Sequence, residues 1–545
     1  MGAASADKPG PGDAAAAKDK GSPALDKVDA FTQTLDAAGF DREQGEFSFW
    51  DLVKDTCEGV YPDTLANNPW PNAYLIIKNL KSDGSGGGSS GRVNTDWQLR
   101  ADEAIVLIGQ TPPPAAYFSY QTLIATLPDD PDTPINENLL RMGSAAGDTF
   151  NIGTIRTIGP DKYRRPVIII ITGNMETERR VRAAALKAGH PDAIINVETI
   201  SSSIAPLGRG DGGSRFVFVH RVAVPNDSLE LQDYARTANS TYRVFRLTPR
   251  QQLAPAAEPV PVLRVRGTGH TEMDLYPAVK QLRLAIQDTY KAQGFDAAHR
   301  KDLDTKVWQL PTPPLNREMI LEKPYVGLQR GYQLIGATRD TNYLATYPNF
   351  TLGCDEYNGS SEISPERRCV KYTPEFVIVY GVNHQATGKA TYSSFSIYAD
   401  KDRWFGLING TTLSPDFDQG GQPGDSARRF LCPDNPTKCP DAVKYLYAWK
   451  VARDCGDEPY CMEVKVNDDP TKPFNGIDDQ PYACSLWDVY SNPGHPINLG
   501  PFDLDKSEMF FLWRSYMEPA TKVGPDDNEL VYDRAIYFGS HFAKQ

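Results

Sequence analysis

The sequence predicts an α+β protein that is mostly β: a β-sandwich or jelly-roll-like body carrying an inserted ferredoxin-like βαββαβ unit. Three observations carry this expectation. From residue 325 onward, short β-forming runs (374–380, 390–398, 445–451, 509–516 and 529–537) are punctuated by Pro, Gly, Asn and Asp. Between about 165 and 248, strand and helix signals alternate in the order β-α-β-β-α-β. One clear long helix, at about 276–293, stands outside that unit.

Taken in order, residues 26–38 read as a short amphipathic helix, with Asp26 to cap it and Gly39 to end it. Residues 73–80 are extended, and 81–92 form a Gly/Ser-rich loop. Ile105, Val106, Leu107 and Ile108 mark a buried strand over 102–110, stopped by Thr111-Pro112-Pro113-Pro114 before an aromatic strand at 116–123. The βαββαβ unit has strands at 166–172, 193–200, 214–224 and 241–247. Its helices are 176–188, ended by Gly189, and 228–238, capped by Ser228. A loop at 201–213 joins its middle strands. In the 276–293 helix, Pro277 suits the first turn, Val279, Leu282, Ile286 and Tyr290 share one face, and Gly294 ends it. This divides the chain into a disordered tail (1–25), a β-rich N-terminal domain (26–250), a Pro-rich linker (251–262), and a helix with a disulfide-bearing β-sandwich (263–545). No internal repeat and no heptad pattern is visible.

With 545 residues, 40% of them hydrophobic, the chain can build more than one core. A net charge of −13 argues against nucleic acid and anionic lipid as partners. Mean hydropathy is −0.46, and no apolar run approaches the roughly 18 residues of a membrane span. The tail to about Ala24 lacks the apolar core of a secretory signal as written. Eight cysteines, six of them at or after Cys369, lack zinc-finger spacing. They suggest local disulfides Cys354–Cys369, Cys432–Cys439 and Cys455–Cys461, with Cys57 and Cys484 left to pair or stay free, and hence an oxidising or extracellular compartment. Glycosylation sequons at Asn226, Asn239, Asn349, Asn358 and Asn409 are compatible with secretion.

Formal motif matches fail on context. Gly87-Gly88-Ser89-Ser90-Gly91 has the spacing of a hydrolase elbow but no following helix. Residues 381–389 (GVNHQATGK) hold six residues between the glycines where a phosphate loop needs four, so a tight loop between strands is expected. Arg209-Gly210-Asp211 sits in the 201–213 loop, as an integrin-type tripeptide would.

The chemistry-bearing candidates centre on the scarce histidines. His270 and Glu272 lie two apart after Gly267 and Gly269, just before the best helix. In an extended segment they face the same way, which suits two ligands or an acid–base pair, and the turn's backbone amides could face an anion. His384, with Asn383 beside it, sits in a loop of the kind that carries grafted sites. His270, Glu272 and His384 are therefore the catalytic candidates, with His270 and His384 as zinc-like ligands. Arg266 and Asn383 are the substrate-binding candidates. Asp503, Asp505 and Glu508, like the run Asp526-Asp527-Asn528-Glu529, form oxygen-rich calcium-like clusters without the EF-hand spacing. His190 reads as a helix cap and His220 as a structural strand residue. Trp70, Trp97, Trp404 and Trp487 are candidate sugar platforms.

Two functions remain open. One is a secreted enzyme, hydrolase-like, acting on a small molecule or glycan through a His/carboxylate site with a divalent metal as candidate cofactor. The other is a noncatalytic extracellular protein that binds glycan or protein. The first expects His270 and His384 to converge in a cleft; the second expects them apart.

Overall fold

The isoleucine- and valine-rich runs become strands of two curled sheets of nine strands each among the described residues. The computed structural model describes residues 27–50, 73–78, 80, 96–126, 128, 145–307, 338–350, 352, 375–400, 404–412, 423–433, 439–452, 455–463 and 508–539. The protein is predominantly β with few helices, as expected from the sequence. The N-terminal tail and the pair Cys354/Cys369 lie outside the described residues, as do Cys57 and Cys484. Cys432–Cys439 and Cys455–Cys461 are bonded as expected. No helix among the described residues is long and apolar enough to cross a membrane.

The first sheet contains β1 (Phe40–Phe49), β2 (Ala73–Lys78), β3 (Ala104–Gln110), β4 (Ala115–Thr126), β5 (Phe150–Asn151), β6 (Pro166–Thr172), β7 (Ile195–Thr199), β8 (Arg215–Pro225) and β9 (Arg243–Pro249), in the order β5-β4-β8-β2-β1-β9-β3-β6-β7. Three helices accompany it: α1 (Val28–Ala37), α2 (Met175–Lys187) and α3 (Ser228–Thr241). The apolar runs are continuous because these strands are covered on both faces. In β6, Val167, Ile169 and Ile171 enter the core beneath β2 and β8, whereas Ile168 and Ile170 pack against α1 and α2. Asn174 caps α2 by accepting from the amides of Glu176 and Thr177. The cap of α3 is Asp227, one residue before the expected Ser228. Lys27, without a side-chain cap, precedes α1.

The four strands of the expected ferredoxin-like unit occur in the expected order with their two helices, but they do not form one sheet unit. β6 pairs in parallel with β7 and antiparallel with β3, while β8 pairs with β4 and β2 at the far side. The 201–213 connection is long enough to carry the chain from one side of the sheet to the other.

The second sheet contains β10 (Arg300–Val307), β11 (Thr341–Tyr347), β12 (Phe376–Val382), β13 (Tyr392–Asp400), β14 (Trp404–Thr412), β15 (Leu446–Ala452), β16 (Cys461–Glu463), β17 (Glu508–Tyr516) and β18 (Arg534–Phe538). Helices α4 (Tyr276–Lys291) and α5 (Pro423–Leu431) pack on it. The body expected as a sandwich or jelly roll is thus one curled sheet, ordered β14-β13-β17-β11-β10-β18-β12-β15-β16.

That order is the order of the first sheet with nine added to every strand number. The sense of each pairing recurs too: all are antiparallel except the edge pairs β6–β7 and β15–β16. Each sheet has one strand whose two ends pair with different neighbours. Residues 46–49 of β1 pair with β2 and 40–45 with β9; residues 304–307 of β10 pair with β11 and 300–303 with β18. Register extends the match to residues. Arg221 on β8 lies opposite Tyr74 and Ser119, and Arg514 on β17 lies opposite Tyr343 and Ser394. Three residues after each arginine, Val224 and Met517 both take positive φ (54 and 47°). The isolated bridge Trp97–Phe216 is matched by Phe350–Met509. The chain is therefore a tandem structural duplication, which corrects the sequence-based expectation of no repeat. Between β8 and β17, only Phe218/Phe511 and Arg221/Arg514 keep the same residue type at matched positions, too little to register as a repeat.

The halves meet through the faces of β4, β8, β13 and β17. Tyr117 packs against Tyr392 and Tyr516, with ring centroids 5.8 and 5.0 Å away. The Tyr117 hydroxyl donates to Asp340 at 2.6 Å. Residues 250–275 carry the chain between the sheets, and the Pro-rich segment is tied to the first by the Glu258 amide on the Gly173 carbonyl.

Gly109 and Gly381 occupy the same position in β3 and β12. A Cβ at Gly109 would overlap the Tyr242 ring; at Gly381 it would lie 2.6 Å from Asp533 Oδ1 and 3.1 Å from Asp533 Cα. Tyr242 and Asp533 are themselves matched positions. Gly109→Ala and Gly381→Ala should therefore each cost about 1–3 kcal/mol through overpacking. Urea unfolding midpoints read this, and an unchanged midpoint in either variant would refute the packing equivalence.

Candidate functional site

Three distant segments converge beside β12 and β18: the turn at 266–272, the loop at 383–391 and the run 526–533. Glu272 directly precedes the short turn that leads into α4, and its amide donates to the Glu529 carbonyl. His384 begins the tight loop between β12 and β13, which confirms the loop reading of GVNHQATGK. Its Nδ1 lies 2.9 Å from both carboxylate oxygens of Glu272, and its Nε2 lies 3.3 Å from Asp533 Oδ2. The Thr387 hydroxyl (2.6 Å) and the Val531 amide (3.0 Å) also donate to Glu272. Tyr447 donates to Asp533 Oδ1 at 2.7 Å and accepts from Trp513 Nε1. All three ionisable side chains of this triad are at most 2% exposed.

Burial alone would lower the His384 pKa. The Glu272 carboxylate first, and Asp533 after it, outweigh burial and raise it to about 10. Burial likewise pushes the Glu272 carboxyl up, but the imidazolium, Thr387 and the Val531 amide hold it below the ordinary value. His384 is thus an imidazolium with both nitrogens donating. Both ring nitrogens face carboxylate oxygens of the chain itself.

A second ion cluster adjoins the first. Lys389 Nζ contacts Glu529 Oε2 at 2.6 Å, Glu518 Oε1 at 2.8 Å and the Thr268 hydroxyl at 3.1 Å. The amides of Thr268 and Gly269 donate to the two oxygens of Glu529 at 3.0 and 2.5 Å. The turn therefore does face an anion, and that anion is the chain's own Glu529. Gly267 permits this approach: its φ is +84°, and a Cβ there would sit 2.8 Å from Glu529 Oε1.

The structure joins Glu272 with His384 and leaves His270 outside. His270 is exposed, with Nδ1 3.2 Å from the Thr271 carbonyl. Arg266 is spent on the backbone, donating to the Arg339 and Thr341 carbonyls at 3.0 and 2.8 Å. Asn383 is buried, and its side-chain oxygen accepts from the Gln385 amide. Glu508 opens β17 opposite Asp400, whereas Asp503 and Asp505 lie outside the described residues. Among the described residues, no group of three or more His, Cys, Asp or Glu is placed to hold a metal ion. Arg209 of the Arg-Gly-Asp triplet pairs with buried Glu103, which removes the cation an integrin ligand would present. Trp97 is buried in the core; Trp70 and Trp487 lie outside the described residues. His220 is a structural residue as expected: it is fully buried and stacks on Tyr120 at 4.0 Å. Burial lowers its pKa to about 3. His190 is buried against Phe31 just after α2.

Glu518, Asp533 and Tyr447 escaped the sequence reading, and Lys389 was visible only as the last residue of GVNHQATGK. Each comes from a different strand end, and nothing local distinguishes them. Glu529 was visible only as part of an acidic run.

No protein-family model matches this chain, and no curated protein matches it. Two solved structures are similar along most of its length. The VPA0106 protein from Vibrio parahaemolyticus shares 10% identity over 93% of this chain and 97% of its own, with a TM-score of 0.32. An uncharacterised protein from Burkholderia cenocepacia shares 9% over 95% and 89%, with a TM-score of 0.34. Likeness at these scores carries no argument about this chain.

The triad has a signed pH dependence. Because the folded His384 value lies above the 6.5 of an ordinary imidazole, its stabilisation is complete below about pH 6.5 and is lost as pH rises through about 10. Glu272, lowered in the fold, contributes above its ordinary 4.5 and loses that contribution as pH falls through its folded value. Urea unfolding across pH should show the alkaline decline in the wild type. Glu272→Gln should flatten it and cost about 3–5 kcal/mol at neutral pH by leaving a buried imidazolium without its main counter-charge.

Proposed function

We propose that this chain is a noncatalytic binding protein of an oxidising compartment. The observation that carries the reading is His384, whose ring nitrogens lie 2.9 and 3.3 Å from the oxygens of two buried carboxylates and whose side chain is 1% exposed. A general base or a metal-binding imidazole needs a lone pair and access, and this one has neither. His270, the partner an enzyme site would need, is exposed and stays out of the triad. What favours the enzyme alternative is that Glu272 and His384 do meet, as a His/carboxylate site requires.

Secretion is part of the proposal. Two disulfides between cysteines close in sequence support it, and so do exposed sequons at Asn226 and Asn239, which flank and end α3. A glycan or protein ligand stays within this reading, and a hydrolytic, metal-assisted role is the alternative to it.

Nitrogen-15 spectra of the histidine rings test the central point. His384 should show two protonated nitrogens from about pH 6 to about pH 8, below its folded value of about 10. A neutral tautomer in that range would restore the enzyme reading. Thiol labelling of the denatured, unreduced protein should leave Cys432, Cys439, Cys455 and Cys461 unmodified; labelling of these four would remove the support for an oxidising compartment.

A further inference from the structure

The layer between the two halves is polar where a structural interface would be apolar. Along β4, Ser119 and Gln121 follow Tyr117 on the face turned to the other half; along β13, Ser394 follows Tyr392 in the same way. Arg221 and Arg514 stand opposite these serines, each with 5% of its surface exposed. The Arg221 guanidinium lies over the Tyr74 ring at 5.4 Å, and that of Arg514 lies over Tyr343 at 5.7 Å. Arg514 also donates to the Ser396 and Tyr398 hydroxyls. Tyr74 feels both cations, as does Tyr343, so the two matched sites form one region.

Several side-chain atoms there are buried with no hydrogen-bond partner among the described residues: Ser394 Oγ, the Tyr392 hydroxyl and both ends of the Gln121 amide. All belong to residues at most 1% exposed. Buried polar groups are nearly always hydrogen-bonded, so something beyond the described residues satisfies these. Hydroxyls and an amide N–H are donors, and guanidinium forks match carboxylate and phosphate oxygens. Asp340, the carboxylate that Tyr117 brings near, is occupied by Tyr117, Thr149 and Asn151.

We propose that this layer binds a small oxyanion, a carboxylate or a phosphate, between Arg221 and Arg514, with Gln121, Tyr392 and Ser394 completing its shell. As the ligand class of the binding protein proposed above, it rests on that reading. The two fail separately, because His384 spectra judge the first and anion binding judges this one.

Thermal unfolding of the full chain in inorganic phosphate, in succinate and in chloride at matched ionic strength is the test. One oxyanion should raise the midpoint by roughly 2–4 °C or more near saturation. A response to phosphate alone would assign a phosphoryl ligand, and one to succinate alone a carboxylate. Gln121→Leu and Ser394→Ala remove groups with no partner among the described residues, so both should fold, keep or raise the basal midpoint, and weaken the anion at least about tenfold. Arg514→Met should abolish the shift. No shift with either anion would mean that water fills the layer, and an equal shift in all three variants would place the anion elsewhere. Either result overturns the proposal.

Discussion

Tyr117 is the side chain on which the two halves depend. Its ring lies against Tyr392 and Tyr516 of the other half, and its hydroxyl reaches the buried Asp340 carboxylate, which Thr149 and Asn151 also hold. A curled sheet leaves one face uncovered where its helices do not reach. Here each copy covers that face with the matching face of the other, and Tyr392 stacks on Tyr516 at 4.5 Å behind the contact. Aromatic rings supply the buried area, and the phenol hydroxyl lets the interface remain polar without stranding Asp340.

Within this shared frame the copies have diverged where charge is concerned. At the position facing Gly109 the first half has Tyr242, whose hydroxyl joins those of Tyr120 and Tyr234 beside a neutral His220. At the matched position facing Gly381 the second half has Asp533. A buried carboxylate demands a cation, and His384 supplies it, which in turn recruits Glu272, Thr387 and the Val531 amide. The second half thus has a carboxylate where the first has a phenol, and an ion triad is built around that carboxylate. The adjoining Lys389 cluster repeats the logic with two carboxylates around one ammonium.

The same logic explains how the residue types of an active site here come to be engaged with one another. Histidine, paired carboxylates and a glycine turn with free amides are the vocabulary of catalysis, but each group is consumed by another from the chain. The amides of the turn hold Glu529, the imidazole holds two carboxylates, and Arg266 holds backbone carbonyls. Polar atoms of Gln121, Tyr392 and Ser394 that have no partner among the described residues lie elsewhere, between the halves.

Local pattern by itself determined most of the strands and the main helices, the two closest-spaced disulfides, and the two residues, Glu272 and His384, that carry the most chemistry in their neighbourhood. Those features rest on periodicities of two and 3.6 and on residue types, which act over a few positions. Tertiary structure alone decided that β8 leaves the β6–β7 pair for β4 and β2, because strand order depends on where a long connection lands. It alone revealed the duplication, since each copy needs apolar residues at matched positions but not the same ones, and only Arg221/Arg514 and a few others kept their identity. It alone separated His270 from His384 and gave the latter Asp533 as a partner 149 positions away, because side chains that distant in sequence are joined only by the packing of the sheet.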